Sequence, residues 1–223
     1  MDAKSVRSTE RLTRSLLSVV GSPFEPQRDM RIDEDLSSLY RYAINNRMAL
    51  LTLDALNKRG INVFRDDYEK LGNNYLQAMD LMVRVSDLLE EAGIDFVFFK
   101  SLRPYREATV DMDVLVFGSS YRDVLKAVGE AGYFLLERGP LSATFRDPVS
   151  KLGIDIHEEI AVSHLIYLDK EKLDKQVVRR EVPGGGIVRT LSPAADLLAI
   201  ICHSVLKEQM YVLSEYYSTL FYL

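Results

Sequence analysis

The stretch that decides the fold is Gly93-Ile-Asp-Phe-Val-Phe-Phe-Lys100-Ser-Leu-Arg-Pro-Tyr-Arg106-Glu-Ala-Thr-Val-Asp111-Met-Asp113-Val-Leu-Val-Phe117. Two apolar runs, 96–99 and 114–117, read as short buried strands. Between them lie Lys100, Ser101, Arg103 and Arg106, followed by Asp111 and Asp113. In a strand, residues i and i+2 share a face. Asp111 and Asp113 therefore project together, with Met112 on the other side. Two carboxylates held close raise each other's proton affinity unless a cation sits between them. A hard divalent ion with oxygen ligands resolves that conflict. The stretch thus reads as a metal-dependent, phosphate-handling site.

A third carboxylate lies further on, in Lys151-Leu-Gly-Ile-Asp155-Ile-His157-Glu158. Asp155 sits between two isoleucines, and burying an unpaired carboxylate there is costly. If its strand neighbours the first acidic strand, Asp111, Asp113 and Asp155 converge. Such a triad can hold two Mg²⁺ ions for an in-line displacement at phosphorus. Lys100 and Ser101 would then meet triphosphate oxygens, and Arg103 and Arg106 would neutralise developing charge. His157 shares the face of Asp155, as a ligand, as a neighbour bonded to one, or as a structural histidine. Plainer readings exist for each. Asp111 and Asp113 could mark a solvated edge strand, Asp155 could pair with Arg146, and Lys100, Arg103 and Arg106 could be surface residues. His203, in an apolar helix, reads as a satisfied core histidine.

Around this centre the chain is helix-rich. Residues 1–20 carry weak helical periodicity with Lys4, Arg7, Arg11 and Arg14, followed by a proline-broken linker at 21–26. A helix over 33–59, capped by Asp33 or Asp35, ends at Gly60. A second starts at Asp66 or Asp67 and ends at Gly93. Strands are expected at 94–100, 110–117, 133–138, 142–147 and 151–158. The Gly118-Ser-Ser120 turn leads into a helix at 120–131 stopped by Gly132. Residues 168–176 open with a helical turn, and the triple glycine 184–186 links strands 177–182 and 187–190. That triple glycine lacks the downstream Lys-Ser/Thr of a P-loop and reads as a turn. Ser192-Pro193 begins a buried apolar helix over 194–206. The segment 211–223 is rich in tyrosine; its apolar surface suits either a homodimer contact or a chain cut short.

Composition bounds the rest. The 223 residues carry a formal net charge of −5, which disfavours binding of long nucleic acid by bulk electrostatics. A single cysteine, Cys202, excludes an internal disulfide and a cysteine-rich zinc site. The N-terminus is charged, the apolar run 16–20 is too short for a signal peptide, and no segment has the length of a membrane span. A cytoplasmic chain without membrane partners is expected.

Taken together, these motifs resemble the DNA polymerase β-type nucleotidyltransferase superfamily. In that superfamily a small turn after a strand is followed by a carboxylate-x-carboxylate strand and a third carboxylate on a later strand. Phe99-Lys100-Ser101, Arg106, Asp111-Met-Asp113-Val-Leu-Val116 and Asp155-Ile-His157 are similar to uncharacterised bacterial and archaeal nucleotidyltransferase-like proteins. The resemblance departs at Ser101, where those proteins have glycine, and at Glu158, where they have tryptophan. It implies an α/β (α+β) fold. A small mixed-sheet core at 93–160 would follow a helical region 1–92 and precede a hairpin and helical region 161–223. It implies catalytic and metal-binding roles for Asp111, Asp113 and Asp155, and nucleotide contacts from Lys100, Ser101 and Arg106. The activity implied is transfer of a nucleoside monophosphate from an NTP, ATP foremost, to an acceptor hydroxyl, using two Mg²⁺ ions. The acceptor is not legible. An inactive nucleotide-binding or regulatory module of the same fold is the alternative, and a metal-dependent phosphohydrolase is a third.

Overall fold

The computed structural model describes residues 3–24, 32, 35–118, 121–162 and 165–222. Asp33, residues 25–26 of the linker and residues 119–120 of the turn before the 120–131 helix lie outside them. The fold is mixed α/β, as the sequence predicts. The chain divides into two compact units. One comprises Met1–Gly72, Pro104–Glu107 and Val212–Leu223, and the other Asn73–Arg103 and Ala108–Tyr211. Among the described residues, no helix is long and apolar enough to cross a membrane.

The first unit is helical. It contains α1 (Ala3–Val20), α2 (Leu36–Asn45), α3 (Ala49–Asn57), the start of α4 (Arg65–Glu91) and a C-terminal helix (Leu213–Tyr222). Its core gathers Leu16, Val19, Leu39, Ala43, Met48, Leu53, Leu56 and Tyr217. Asp35 caps α2, its carboxylate accepting from the Ser38 N–H at 2.9 Å. The single helix expected over 33–59 is broken in two. Arg47 adopts a left-handed backbone (φ 57°), and the Met48 N–H turns back to the Ala43 carbonyl at 2.8 Å. This is a Schellman closure made without glycine, and it buries Met48 in the core. The C-terminal helix is anchored by Tyr105, whose hydroxyl donates to the Ser214 carbonyl at 2.8 Å, and by Tyr217, which donates to the Val20 carbonyl at 3.2 Å. Part of the apolar surface expected over 211–223 is therefore internal, while Tyr211, Tyr216 and Phe221 remain exposed.

The second unit holds the sheet. Its elements are β1 (Asp95–Phe99), β2 (Asp111–Phe117), α5 (Tyr121–Glu130), β3 (Phe134–Arg138), β4 (Ser142–Arg146), β5 (Gly153–His157), β6 (Ile160–Val162), β7 (Leu165–Leu168), α6 (Lys170–Asp174), β8 (Val177–Glu181), β9 (Ile187–Leu191) and α7 (Pro193–Cys202). Among the described residues, seven strands form one sheet in the order β3-β4-β5-β2-β1-β9-β8, and β6 pairs with β7 alone. The β6–β7 hairpin has no counterpart in the sequence reading. Gly93, at φ 67°, ends α4 as expected and lets the Ile94 N–H reach the Leu89 carbonyl, which aims the chain into β1.

Alternation gives the sheet two different faces. Phe96, Phe98, Met112, Val114, Val116, Ala143, Phe145, Ile154 and Ile156 are all buried on one. Each large side chain among them contributes roughly 1.5–3 kcal/mol by leaving water. The other face is apolar at one end, where Val97, Leu115, Phe117 and Leu191 pack with Ala195 and Ala199 of α7. At its other end that face is polar. Ser192 precedes α7 as predicted, but its hydroxyl does not cap the helix; it donates to Gln176 at 3.0 Å. The helix expected to continue to 206 stops at Cys202 and widens into a π-helical turn, His203–Lys207.

Candidate metal and phosphate site

Strand directions bring the polar end of that face together. β1 is antiparallel to β2, so the end of β1 meets the start of β2, with Phe99 opposite Asp113. β5 is parallel to β2, with Asp113 directly opposite Asp155 and Leu115 opposite His157. β9 is parallel to β1, so the chain leaves both strands at the same end of the sheet. Lys100 follows β1 there, and α7 follows β9.

Asp113 is the hub. Its Oδ1 accepts from His157 Nε2 at 3.0 Å, and its Oδ2 lies 3.2 Å from Lys100 Nζ. Its backbone N–H donates to Ser101 Oγ at 2.9 Å, and that hydroxyl in turn donates to the Phe99 carbonyl at 3.0 Å. Ser101 thus clamps the end of β1 to the start of β2. Burial alone would raise the Asp113 carboxyl; the Lys100 ammonium and the hydrogen bond and charge of His157 outweigh it and hold the group well below the usual carboxylate range. Asp155 Oδ1 accepts from Thr144 Oγ1 at 2.7 Å across the β4–β5 pair. Asp113, Asp155 and His157 each offer one donor atom, and these atoms lie within 4.8 Å of one another. Two carboxylates and an imidazole form a donor set suited to a divalent cation.

Lys100 is held from three directions. Its backbone is left-handed (φ 59°), an uncommon state for a side chain bearing a Cβ. Its N–H donates to Asp196 Oδ1 at 2.6 Å, a carboxylate buried in the first turn of α7. Its Nζ reaches His203 Nδ1 at 2.9 Å as well as Asp113. An ammonium has no acceptor. With the lysine charged, His203 Nδ1 accepts, so Nε2 carries the proton and donates to Glu208 Oε1 at 3.2 Å. Burial, followed by the neighbouring Lys100 charge, pushes the His203 imidazole down to about 4, which favours this neutral form.

The sequence candidates are distributed unevenly. Asp113, Asp155, Lys100 and Ser101 come together, with His157 among them. Asp111 occupies the exposed first position of β2, opposite Gly153, and is outside the three-residue donor group. Asp155 bonds Thr144 rather than the Arg146 considered as its plain partner. Arg106 belongs to the first unit, where it pairs with Asp54 at 2.7 Å. His203, read as a satisfied core residue, is satisfied by Lys100 and Glu208. Thr144, Asp196 and Glu208 were not singled out. Thr144 could have been found from its place on the polar face of β4, and Asp196 from being the one acid in an apolar helix.

Comparison with protein families finds no match for this chain. Comparison with curated proteins finds none either. Among solved structures, the chain is distantly similar to the crystal structure of the lincosamide antibiotic adenylyltransferase LnuA with lincomycin bound. The two are 13% identical with a TM-score of 0.42, over 59% of this chain and 87% of that one.

Proposed function

We propose that this protein is a divalent-metal-dependent nucleotidyltransferase that moves a nucleoside monophosphate from an NTP, ATP foremost, to an acceptor hydroxyl. The observation that carries this reading is the in-register pairing of Asp113 with Asp155, with His157 beside them. These three residues would hold the cation. When bound, that ion would polarise the reacting phosphoryl group and lower the pKa of an oxygen on it. Asp155 would take the acceptor proton, steadied by Thr144. The acceptor oxygen then forms a bond to the α-phosphorus as the bond to the bridging oxygen breaks, and pyrophosphate leaves. Lys100, carried on the turn beside Asp113, would meet the phosphates as a fixed ammonium.

Pyrophosphate release from Mg²⁺–ATP, tested across candidate acceptors, tests this function. The Asp113→Asn/Asp155→Asn variant should abolish it, and turnover retained in that variant would overturn the reading. One observation favours a second reading, a nucleotide-binding module without turnover. The Lys100 ammonium already neutralises Asp113 from within the fold. Calorimetric ATP binding with no pyrophosphate release under any acceptor would support it. Release of orthophosphate instead would indicate a phosphohydrolase.

A further inference from the structure

The two oxygens of Asp113 face different partners. Oδ1 is 3.0 Å from Nε2 of His157, which joins Asp113 and Asp155 in the donor group, whereas Oδ2 is 3.2 Å from the Lys100 ammonium. A carboxylate that bridges two metal ions does so by giving one oxygen to each. Here the second oxygen is given to an amine. That amine is not a surface lysine swinging into place. Its side chain is 9% exposed, and it is fixed by Asp113 on β2, by Asp196 on α7 through its backbone, and by His203 beyond α7. Its nitrogen also lies 5.0 Å from the Phe99 ring centroid. Its backbone holds a conformation that a residue with a Cβ keeps only where its surroundings impose it. His203 offers a neutral nitrogen, which orients the ammonium without cancelling its charge. Asp111, the other carboxylate on this strand, is exposed at its edge.

We propose that the Lys100 ammonium is the second positive charge of this site. The protein binds one divalent cation rather than two, and Lys100 supplies to the nucleotide phosphates the charge a second ion would bring. This rests on the nucleotidyltransferase reading above and revises the two-ion expectation from the sequence. His203 is a positioning residue that acts through Lys100.

The test counts ions directly. Mn²⁺ is titrated into the full chain with a non-hydrolysable ATP analogue present, and bound Mn²⁺ is quantified by electron paramagnetic resonance. The same is done for Lys100→Gly, which suits the left-handed backbone and so guards against misfolding, and for Lys100→Met. One Mn²⁺ per wild-type chain is expected. Both variants should weaken analogue binding by about tenfold or more, the scale of one lost charge-assisted contact. Two Mn²⁺ per wild-type chain would overturn the proposal and leave the nucleotidyltransferase reading standing. So would one Mn²⁺ with unchanged analogue affinity in both variants. No Mn²⁺ bound by the wild type would overturn both.

Discussion

Asp113 on β2 and Asp155 on β5 stand directly opposite one another in a parallel strand pair, and each carboxylate is satisfied by a different set of protein groups. Like charges in that position oppose folding by up to about 1 kcal/mol. The pairing therefore carries a repulsion that the proposed cation would relieve. Asp155→Asn should leave the metal-free protein equally or slightly more stable and remove the rise in melting temperature that Mn²⁺ gives the wild type. Thermal melts with and without Mn²⁺ check both parts.

Thr144 steers the Asp155 carboxylate from the neighbouring strand at 2.7 Å. Groups that orient a metal ligand typically change affinity by about tenfold to a hundredfold when removed. Thr144→Val should weaken Mn²⁺ binding by about tenfold, and Thr144→Ser should restore most of it, as measured by calorimetry. Equal loss in both variants would point to packing instead.

Away from the site, Asp147 is fully buried and receives both arms of Arg84 at 3.2 Å, together with the Ser150 N–H and hydroxyl. Burial pushes its carboxyl up, and these partners outweigh that and hold it down to about 2. A carboxyl lowered on folding stabilises the protein above its unfolded pKa of about 4, and that stability is lost as pH falls toward 2. The contribution is roughly 2 kcal/mol. Urea unfolding should therefore lose stability steeply between about pH 4 and pH 2, and Asp147→Asn should flatten that slope.

In the hairpin turn, the three glycines are not equivalent. A Cβ at Gly184 or Gly185 meets open space, whereas one at Gly186 would lie 2.7 Å from Val83 Cγ2. All three have positive φ. Alanine should cost about 1–2 kcal/mol at Gly184 or Gly185 from backbone strain alone. At Gly186 the stiff valine adds overpacking, for a total of roughly 2–4 kcal/mol. Chemical denaturation of the three variants reads the difference.

Asp113 and Asp155 were legible because strand alternation is a short-range rule, although Asp111, read with them, lies outside the donor group. Asp111 and Asp113 had to share a face, and Asp155 between isoleucines had to be exceptional. Their adjacency depends on β2 pairing with β5 rather than with β4, which no local pattern states. His203 is satisfied, as the sequence suggests, but by Lys100 and Glu208 at the margin of the core. Ala199 and Ile200 in α7 are buried, whereas His203, seven residues after Asp196, lies with it toward Lys100. The break at Arg47 was equally hidden, because arginine carries no preference for a left-handed backbone. The β6–β7 hairpin is short and half exposed, so it leaves little hydrophobic pattern to read.

The π-helical turn after α7 carries a consequence of spacing. Side chains on an ordinary helix meet their own chain three or four positions away. Here the Glu208 N–H closes on the His203 carbonyl five residues back, and the Glu208 carboxylate meets the ring of that same histidine. The extra residue acts as a spacer that brings the fifth neighbour round to the first. Excising any one of residues 204–206 would place the glutamate four positions after His203, where an ordinary helical turn also brings side chains together.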